Sequence, residues 1–378
     1  MEFGHFANCF VPRFELEAEA GAEHRRMIEN LDFAVECEKH GFKYVWCPEH
    51  HFLTEYSHMP APEVFLSFVA ARTSNIHVGS AIFNTTPPVN HPVRVAERVA
   101  MLDHLSEGRF EFGTGRGSST TEVFGFGIES LDLTKEMWDE TIGEFLKMWQ
   151  PGMYGPYEGR FFSMPQRNVL PKTYTRPHPP MWVACGSPPT FAKAGRMGLG
   201  AFCFTHGTPQ SLEPLIRAYK DGIAQAEPVG DYVNDNILCV TSFLCMEDRR
   251  EAFELATRVG MRYYASLVFR WLDNIPRPPG LPVWPEVLPE NTAEEVEAAA
   301  NAGSTCVGDP DDCARLVQSY VDIGCDQLVL SPTTTTMPYE TALASVELFG
   351  REVIPRFDKD PVHRSTRMRE TVAQAAGS

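Results

Sequence analysis

Three features are missing from this sequence of 378 residues: a long apolar run, a cluster of basic residues and a closely spaced pair of cysteines. No stretch approaches the roughly 20 apolar residues of a membrane helix, and the N-terminal apolar run is too short for a signal peptide. The 33 lysines and arginines are outnumbered by 50 aspartates and glutamates, and the net charge of −17 disfavours a nucleic-acid partner. We therefore expect a cytoplasmic protein that binds neither membranes nor nucleic acids.

The ten cysteines form no C-x-x-C pair and have no zinc-finger spacing. Most of them stand in apolar strand or helix contexts, which favours small buried side chains in a reducing compartment. We expect none of them to be catalytic.

Short apolar strands alternate with longer amphipathic helices along most of the chain. Eight strand-then-helix units predict an α/β fold, a parallel (β/α)8 TIM barrel, in one domain over residues 1–357. Two long Pro/Gly-rich segments, 150–180 and 270–310, are expected to be insertions that cover the C-terminal face, and the polar tail 358–378 is expected to be flexible. The candidate strands span residues 3–10, 44–48, 77–84, 110–115, 181–185, 201–205, 238–245 and 327–331.

A carboxylate and two histidines follow the second candidate strand, in the stretch FKYVWCPEHHF. Glu49, His50 and His51 are costly to bury without partners, and the strand ends of a barrel are where functional residues collect. Acid–base chemistry and a structural role are both open from the residues alone. A metal site is disfavoured, because strand alternation points His50 away from the other two and later strand ends offer neither His nor Asp.

The fourth and fifth strand ends carry the residue types that bind an anion. In ACGSPPT, Ser187 can cap a helix, the two prolines suit its first turn, and Gly186 lets a ligand approach the backbone. Arg116, held between glycines in GTGRG, can add a fixed cation to the same ligand. The glycines there do not form G-x-G-x-x-G, so we do not expect a dinucleotide-binding fold.

The order of these motifs resembles the bacterial luciferase-type family of flavin-dependent monooxygenases. The resemblance lies in EHHF, then VGSA, NHPVRVAERVAMLDHLSEGRFEFGTGRG, EVFGFG and WVACGSPPTFAKAGRMG, and it extends over nearly the whole chain. It implies an eight-stranded barrel that takes reduced FMN from a separate NAD(P)H-dependent flavin reductase. It also implies that FMN reacts with O₂ to give a flavin C4a-peroxide, which oxygenates a small organic substrate.

The resemblance assigns roles to residues at the strand ends. His50 matches a histidine beside the flavin that the oxygenation needs, and Glu49 matches the carboxylate next to it, which would fix the ring of His50 or the edge of the flavin. Gly115 stands where the luciferase catalytic subunit has a reactive cysteine, which counts against light emission and a long-chain aldehyde substrate.

The cofactor-binding residues follow from the same resemblance. Arg116 matches an arginine at the FMN phosphate, and Ala81-Ile82 matches a non-proline cis peptide beneath the isoalloxazine ring. Gly186, Ser187 and Thr190 match the phosphate end of the loop after the fifth strand.

The expected substrate is a mostly apolar small molecule. Candidate lining residues are Phe6, Asn8, Phe83, Phe124 and Trp271, and the segment around Trp271 is expected to close over them. Two other functions stay open: hydride transfer with a deazaflavin coenzyme, and flavin binding without turnover. A metal-dependent hydrolase is a more remote alternative. The resemblance also implies a homodimer through regions 58–72 and 92–106.

Overall fold

A computed structural model describes residues 1–204, 207–275, 277–331 and 336–377, with side chains through residue 371. The strands are β1 Glu2–Phe6, β2 Tyr44–Cys47, β3 His77–Ser80, β4 Phe83–Asn84, β5 Phe110–Gly115, β6 Tyr157–Glu158, β7 Ser163–Met164, β8 Met181–Cys185, β9 Gly200–Cys203, β10 Ile237–Cys245, β11 Cys306–Gly308 and β12 Gln327–Ser331. The helices are α1 Arg13–Ala18, α2 Ala22–Lys39, α3 Pro62–Arg72, α4 Pro92–Leu105, α5 Thr120–Gly125, α6 Leu133–Ile142, α7 Glu144–Trp149, α8 Pro188–Arg196, α9 Pro209–Ile223, α10 Arg249–Ala256, α11 Met261–Trp271, α12 Ala293–Asn301, α13 Pro310–Asp322, α14 Tyr339–Glu352, α15 Ile354–Phe357 and α16 Arg364–Gly377.

Eight parallel strands close into a barrel in the order β1, β2, β3, β5, β8, β9, β10, β12 and back to β1. The closing ladder pairs the two ends of the chain, with Glu2 opposite Gln327 and His5 opposite Leu330. Two short strands lie outside this order. Strand β4, which follows β3 in the chain, also pairs with β5, and β11 pairs with the end of β10. The predicted barrel is confirmed; the end of the sixth candidate strand, Thr205, lies outside the described residues.

Large aromatic rings fill the interior of the barrel. The Trp46 ring lies 5.1 Å from that of Trp182 and 5.0 Å from that of Phe202, and all three are buried. Glycine makes room for them: a Cβ at Gly79 would stand 2.2 Å from the Trp46 ring. Because these rings pack the lower part of the barrel, any ligand site is confined to the mouth, where the strands end.

The C-terminal segment closes the opposite end of the barrel, where the strands begin. The Lys43 ammonium binds Glu2 on β1 at 2.9 Å and Asp358 at 3.0 Å, and His363 Nε2 lies 2.9 Å from the Lys43 carbonyl oxygen. The Ser365 hydroxyl donates to Glu111, a fully buried carboxylate on β5. The expectation of a flexible tail from residue 358 is therefore wrong for this part, because its polar side chains add partners to the buried Lys43 and Glu111.

Glu111 stands at the centre of a buried polar cluster at this end. Besides Ser365 it accepts from Trp182 Nε1 at 2.7 Å and pairs with His77 Nδ1 at 2.8 Å. The rings of His77 and His363 stack with centroids 3.7 Å apart. Burial raises the pKa of Glu111 to about 7, and burial together with the neighbouring His77 lowers the pKa of His363 to about 3.

These shifts predict a fold that is sensitive to acid. The pKa values of His5, His77, His178 and His363 are all lowered, chiefly by burial, so the stability that each contributes is present above its ordinary pKa of 6.5 and is lost as the pH falls. Glu111 acts oppositely, because its raised pKa gives stability that is present below 4.5 and lost as the pH rises through 7. Burial also raises the pKa values of Glu2, Asp103 and Glu290, which act in the same direction as Glu111. We expect the four histidines to outweigh these carboxylates.

We expect the free energy of unfolding, measured with urea, to fall between pH 7.5 and pH 5, with about 2 kcal/mol of the fall from each of His5 and His363, whose pKa values are lowered to about 4 and about 3. His363→Gln keeps a donor for the Lys43 carbonyl near the position of Nε2 and should remove the share of His363 in that fall. His104→Asn, at an exposed histidine, is the matched control. An equal pH dependence in the two variants would contradict this account of the cluster.

The two long insertions occupy different places. Residues 150–180 form the β6–β7 hairpin and pack outside α6 and α7, where Glu140 accepts from the backbone of Arg160 and Phe161 and Glu144 accepts from Tyr154. The second insertion, residues 270–310, begins at the end of α11 and carries α12. We call residues 261–275 and 277–292 the cover, because this segment packs against the loops after β1 and β2.

Candidate active site

Glu49 ties the ends of neighbouring strands together. One carboxylate oxygen accepts from the Asn84 backbone N–H at 2.9 Å, and the other accepts from Asn90 Nδ2 at 2.8 Å and contacts His51 Nε2 at 3.0 Å. The side chain is 5% exposed. Glu49 does not fix the ring of His50, because its ring partner is His51, and its contact with the edge of the flavin stays a prediction. Both of its oxygens are already occupied, so Glu49 fixes the shape of the site.

The partner of His50 is Glu122, which the sequence showed only as part of EVFGFG. His50 Nδ1 lies 3.1 Å from Glu122 Oε1, and the same oxygen accepts from the His51 backbone N–H at 2.9 Å. Glu122 stands on the short helix α5, whose cap is Ser119, directly after the GTGRG strand end. A hydrogen bond from Nδ1 to the carboxylate leaves Nε2 as the basic nitrogen of His50, free to accept or donate a proton at the mouth.

Glu122 is itself poised for a further contact. It is 3% exposed, and its second oxygen has no hydrogen-bond partner among the described residues. A buried carboxylate oxygen without a donor is costly, and such groups concentrate at functional sites. The geometry indicates that a ligand donor or a water donates a hydrogen bond to this second oxygen of Glu122.

We expect Glu122→Ala to lower turnover about tenfold or more, because His50 loses the carboxylate that sets its tautomer and ring position. Glu122→Gln, which keeps an oxygen acceptor for His50 Nδ1 and the His51 N–H, should restore part of the rate and shift its pH profile. Glu129→Ala, at an exposed position nearby, is the control. Unchanged pH profiles in both Glu122 variants would show that the pair is structural only.

The backbone beside His50 has the geometry that the family resemblance implies. The peptide bond between Ala81 and Ile82 is cis, and the Ala81 N–H donates to the Cys47 carbonyl oxygen at 2.7 Å. The Ile82 side chain lies over Gly115, where an added Cβ would stand 2.5 Å from it. Gly115 is therefore required by Ile82, which gives a packing reason for the absence of a cysteine there.

Arg116 reaches the end of the neighbouring strand. One guanidinium nitrogen donates to Thr134 Oγ1 at 3.0 Å and to the Leu131 carbonyl at 3.3 Å. The guanidinium also interacts electrostatically with Cys185, so its charge lies near the end of β8. Burial lowers the pKa of Arg116, but an arginine stays charged at neutral pH. The partly buried cation fits an anionic ligand group at this corner.

The loop after β8 is more closed than the sequence predicted. A capping box joins Ser187 and Thr190, and the Thr190 hydroxyl accepts from the backbone N–H groups of Gly186 at 3.2 Å and of Ser187 at 3.1 Å. Both N–H groups are therefore already hydrogen-bonded in the observed loop. Open space does remain beside Gly186, where an added Cβ would meet nothing within 4 Å. A phosphate bound here would contact Arg116 and would compete with the Thr190 hydroxyl oxygen for the N–H groups of Gly186 and Ser187.

Two of the predicted substrate residues do lie at the mouth. Phe6 packs on the interior cluster, 5.6 Å from the Phe204 ring. Asn8 Nδ2 donates to the Tyr56 carbonyl at 2.9 Å and to the Tyr264 hydroxyl at 3.1 Å, while its buried oxygen has no hydrogen-bond partner in the described part of the chain. Asn8 therefore joins the barrel to the cover.

Phe83 is a correction to the sequence prediction. It is fully buried against Phe110 and Phe112 in the layer between strands and helices, so it cannot contact a ligand in the mouth. Phe124 is 59% exposed on α5, and its contact with a substrate stays a prediction. Trp271 belongs to the cover, as predicted, and its Nε1 donates to the Thr54 carbonyl at 3.2 Å.

The cover meets the barrel through aromatic and aliphatic side chains. Leu267 and Val268 on α11 pack against Leu53 and Tyr56 in the loop after β2, and the Tyr264 ring stacks on that of Tyr56 at 5.5 Å. His50 contacts Tyr56 edge-on, with ring centroids 5.3 Å apart. The histidine therefore lies under an apolar lid, which lowers the access of water to its ring.

Within residues 1–204, 207–275, 277–331 and 336–377, no group of three or more His, Cys, Asp or Glu side chains could hold a metal ion. All ten cysteines are buried and free of disulfides. Burial raises the pKa of Cys185 at the end of β8, which keeps this thiol protonated.

A (β/α)8 barrel with a histidine–carboxylate pair, an arginine and an apolar lid at its mouth has the layout of an enzyme that acts on a small molecule. The chain belongs to the luciferase-like monooxygenase family, whose model matches residues 1–327. This confirms the family inferred from the motifs.

Relatives with different coenzymes match nearly the whole chain. The F420-dependent glucose-6-phosphate dehydrogenase of Kineococcus radiotolerans is 29% identical over 90% of this chain and 96% of its own, and the limonene 1,2-monooxygenase of Rhodococcus erythropolis is 24% identical over 88% and 82%. Among solved structures, the oxygenating constituent of 3,6-diketocamphane monooxygenase from Pseudomonas putida, in complex with FMN, has a TM-score of 0.74 at 18% identity and covers 94% of this chain and 98% of its own. Flavin monooxygenases and F420-dependent oxidoreductases are thus both neighbours of this protein.

Proposed function

We propose that the protein is a monooxygenase that uses reduced FMN and O₂ to oxygenate a mostly apolar small molecule. The observation that carries the proposal is the His50–Glu122 pair, placed at the mouth beneath the aromatic cover and beside the Ala81-Ile82 backbone. Reduced FMN, when bound, supplies the two electrons that activate O₂ for transfer of one oxygen atom.

The residues of this chain have separate tasks in that reaction. Arg116 and the loop at Gly186, Ser187 and Thr190 would hold the phosphate, and the backbone at Ala81-Ile82 would support the ring system. His50 Nε2 would hold or transfer a proton at the reacting oxygen, with Glu122 balancing the charge of the imidazolium. The cover excludes water, so the activated oxygen reaches the substrate instead of escaping as hydrogen peroxide.

Support for this reading comes from relatives that oxygenate small molecules, such as limonene 1,2-monooxygenase, and from the FMN complex of a structural neighbour. The second candidate is hydride transfer with the deazaflavin F420, which the relative from Kineococcus radiotolerans favours. A barrel that binds flavin without turnover is the third, and the intact His50–Glu122 pair counts against it.

The decisive experiment mixes the protein, loaded anaerobically with reduced FMN, with O₂ in a stopped-flow spectrometer. We expect a transient absorbing species that is neither reduced nor oxidised FMN, and a parallel titration should show tighter binding of reduced FMN than of F420. Direct reoxidation without a transient, together with tighter binding of F420, would transfer the assignment to the hydride-transfer branch.

The reduced flavin is proposed to come from a separate NAD(P)H-dependent reductase. The chain has no G-x-G-x-x-G motif of its own at the strand ends, and its barrel offers one mouth for one flavin. NADH oxidation by the purified protein with FMN alone should be negligible. Rapid oxidation under those conditions would make the protein a one-component enzyme.

We also propose a homodimer through α3 and α4. These adjacent helices expose Val64, Phe68, Met101 and Leu105, each between 57% and 60% exposed in the single chain. Large apolar side chains grouped on one face of a protein mark an interaction surface.

Sedimentation should show a dimer that Phe68→Asp and Met101→Asp together convert to a monomer, since each change places a charge in an apolar interface. Leu170→Asp, at an equally exposed side chain on the first insertion, is the control. A wild-type monomer at micromolar concentration would contradict the proposed interface.

No helix in the described part of the chain is long and apolar enough to cross a membrane.

A further inference from the structure

A cleft of about 510 Å³ lies on the outer side of the cover, apart from the mouth of the barrel. Helix α11 forms one wall and residues 277–285 form the other, with the start of α1 at the edge. On its inner side the same helix carries Tyr264, which contacts Asn8 and Tyr56. The cleft is lined by Arg13, Ser266, Phe269, Arg270, Arg277, Pro282, Val283, Trp284 and Pro285.

Three guanidinium groups share this cleft, on a protein whose net charge is −17. None of the described residues that line it is an aspartate or a glutamate. Arg13 contacts Glu55 at 3.5 Å, but that carboxylate is 1% exposed and also accepts from the Tyr263 hydroxyl. A local excess of positive charge is therefore presented to solvent, against the sign of the whole molecule.

Two of the arginines have few hydrogen bonds within the fold, and aromatic rings set the position of one of them. Arg270 lies over the rings of Trp271 and Trp284, at 4.3 and 5.2 Å from their centroids, and has no carboxylate partner in the described ranges. Arg277 makes one weak bond, to the Pro282 carbonyl at 3.4 Å. Stacking holds the Arg270 guanidinium in place without using its N–H donors, which leaves them for a ligand.

The remaining wall of the cleft is apolar. Phe269, Trp284 and Pro285 provide ring surfaces, and Val283 is 60% exposed. A bare inorganic ion would leave this wall in contact with water, whereas a neutral apolar molecule would leave the guanidinium donors without an acceptor. A ligand with both an anionic head and an apolar body matches both walls.

We propose that this cleft is a second binding site, for an organic anion whose phosphate or carboxylate group binds Arg270 and Arg277 while its apolar body lies against Trp284 and Phe269. The site is independent of the flavin chemistry proposed for the mouth. Guanidinium donors bind a phosphate and a carboxylate in the same way. Binding measurements with both kinds of anion therefore decide which one the cleft prefers.

The test is isothermal titration calorimetry of the flavin-free protein with phenyl phosphate, phenylacetate, inorganic phosphate and benzyl alcohol. We expect at least one of the two aromatic anions to bind about tenfold or more tightly than benzyl alcohol and than inorganic phosphate. A preference for phenyl phosphate identifies organic phosphates as the ligand class, and a preference for phenylacetate identifies carboxylates. Absence of binding by both anions at millimolar concentration would overturn the proposal.

Variants locate the bound anion. Arg270→Gln and Arg277→Gln, singly and together, should weaken binding about tenfold, whereas Arg217→Gln, at an exposed arginine on α9, should not. Arg116→Gln should also leave binding unchanged, and loss of binding in this variant would place the anion at the barrel mouth. Equal binding by wild type and Arg277→Gln, whose side chain makes little contact with the fold, would overturn the site even if the double variant fails to fold.

Discussion

The His50→Ala variant is expected to bind reduced FMN almost as well as wild type, but to release most of the consumed oxygen as hydrogen peroxide. The imidazole is placed by Glu122 and lies under the cover, where it can hold a proton at the reacting oxygen. Loss of a positioned acid–base group lowers the rate of the catalysed step about 100- to 10,000-fold. Product yield, oxygen uptake and peroxide should be measured in the same reaction.

A matched control is available for this change. His24 is exposed on α2, and His24→Ala should leave product yield and peroxide release at wild-type levels. His50→Gln, which restores a hydrogen-bonding group without restoring acid–base chemistry, should remain uncoupled. Coupled turnover at the normal rate in His50→Ala would remove His50 from the mechanism and leave the Glu122 carboxylate as the remaining candidate.

The second large effect is expected from Arg116→Ala, on binding of FMN. The guanidinium is partly buried beside the end of β8, where the proposed function would place the phosphate of FMN. Removing a charge-assisted partner of a phosphate weakens binding about tenfold to a hundredfold. Equilibrium titration with FMN and with riboflavin separates the contributions, since riboflavin lacks the phosphate and should bind both proteins alike.

Stability and charge need separate controls in this experiment. In the flavin-free state Arg116 bonds only to Thr134 and the Leu131 carbonyl among the described residues, so the free energy of unfolding should change by about 1 kcal/mol. Arg250→Ala, at an exposed arginine paired with Glu254, removes the same charge far from the mouth. An unchanged FMN affinity in Arg116→Ala would rule out the phosphate role.

The barrel could be predicted from the sequence because its signal is repeated. Eight apolar strands each precede an amphipathic helix, and an error at one boundary does not change the count. No pattern in the sequence indicates that the C-terminal segment packs against the barrel, because polar residues such as Asp358, His363 and Ser365 are also typical of an exposed tail. Their partners, Lys43 and Glu111, lie more than 250 residues away in the chain, and only the closed barrel brings the two groups together.

The site was predictable only in part, for a related reason. His50 and Arg116 stand at strand ends, so the connectivity of a barrel places them at its mouth. Glu122 follows a strand end by seven residues on a short helix, and no periodicity indicates where its side chain points. The prediction that Phe83 contacts the substrate was wrong, because a hydrophobic residue at a strand end can face either the mouth or the helices. Which way it faces depends on its pairing with Thr114.

The pairing of β1 with β12 bears on how the chain folds during synthesis. Strand β1 is made before the other seven strands of the barrel, yet one of its two neighbours is β12, which is made after them, and the Lys43–Glu2 pair gains further partners only at residues 358–364. Until β12 has emerged from the ribosome, the nascent chain has an unpaired edge on each side of an incomplete sheet, and such edges associate with other chains. Closure of the barrel therefore waits for β12, and the interval before it is when the polypeptide most needs a chaperone.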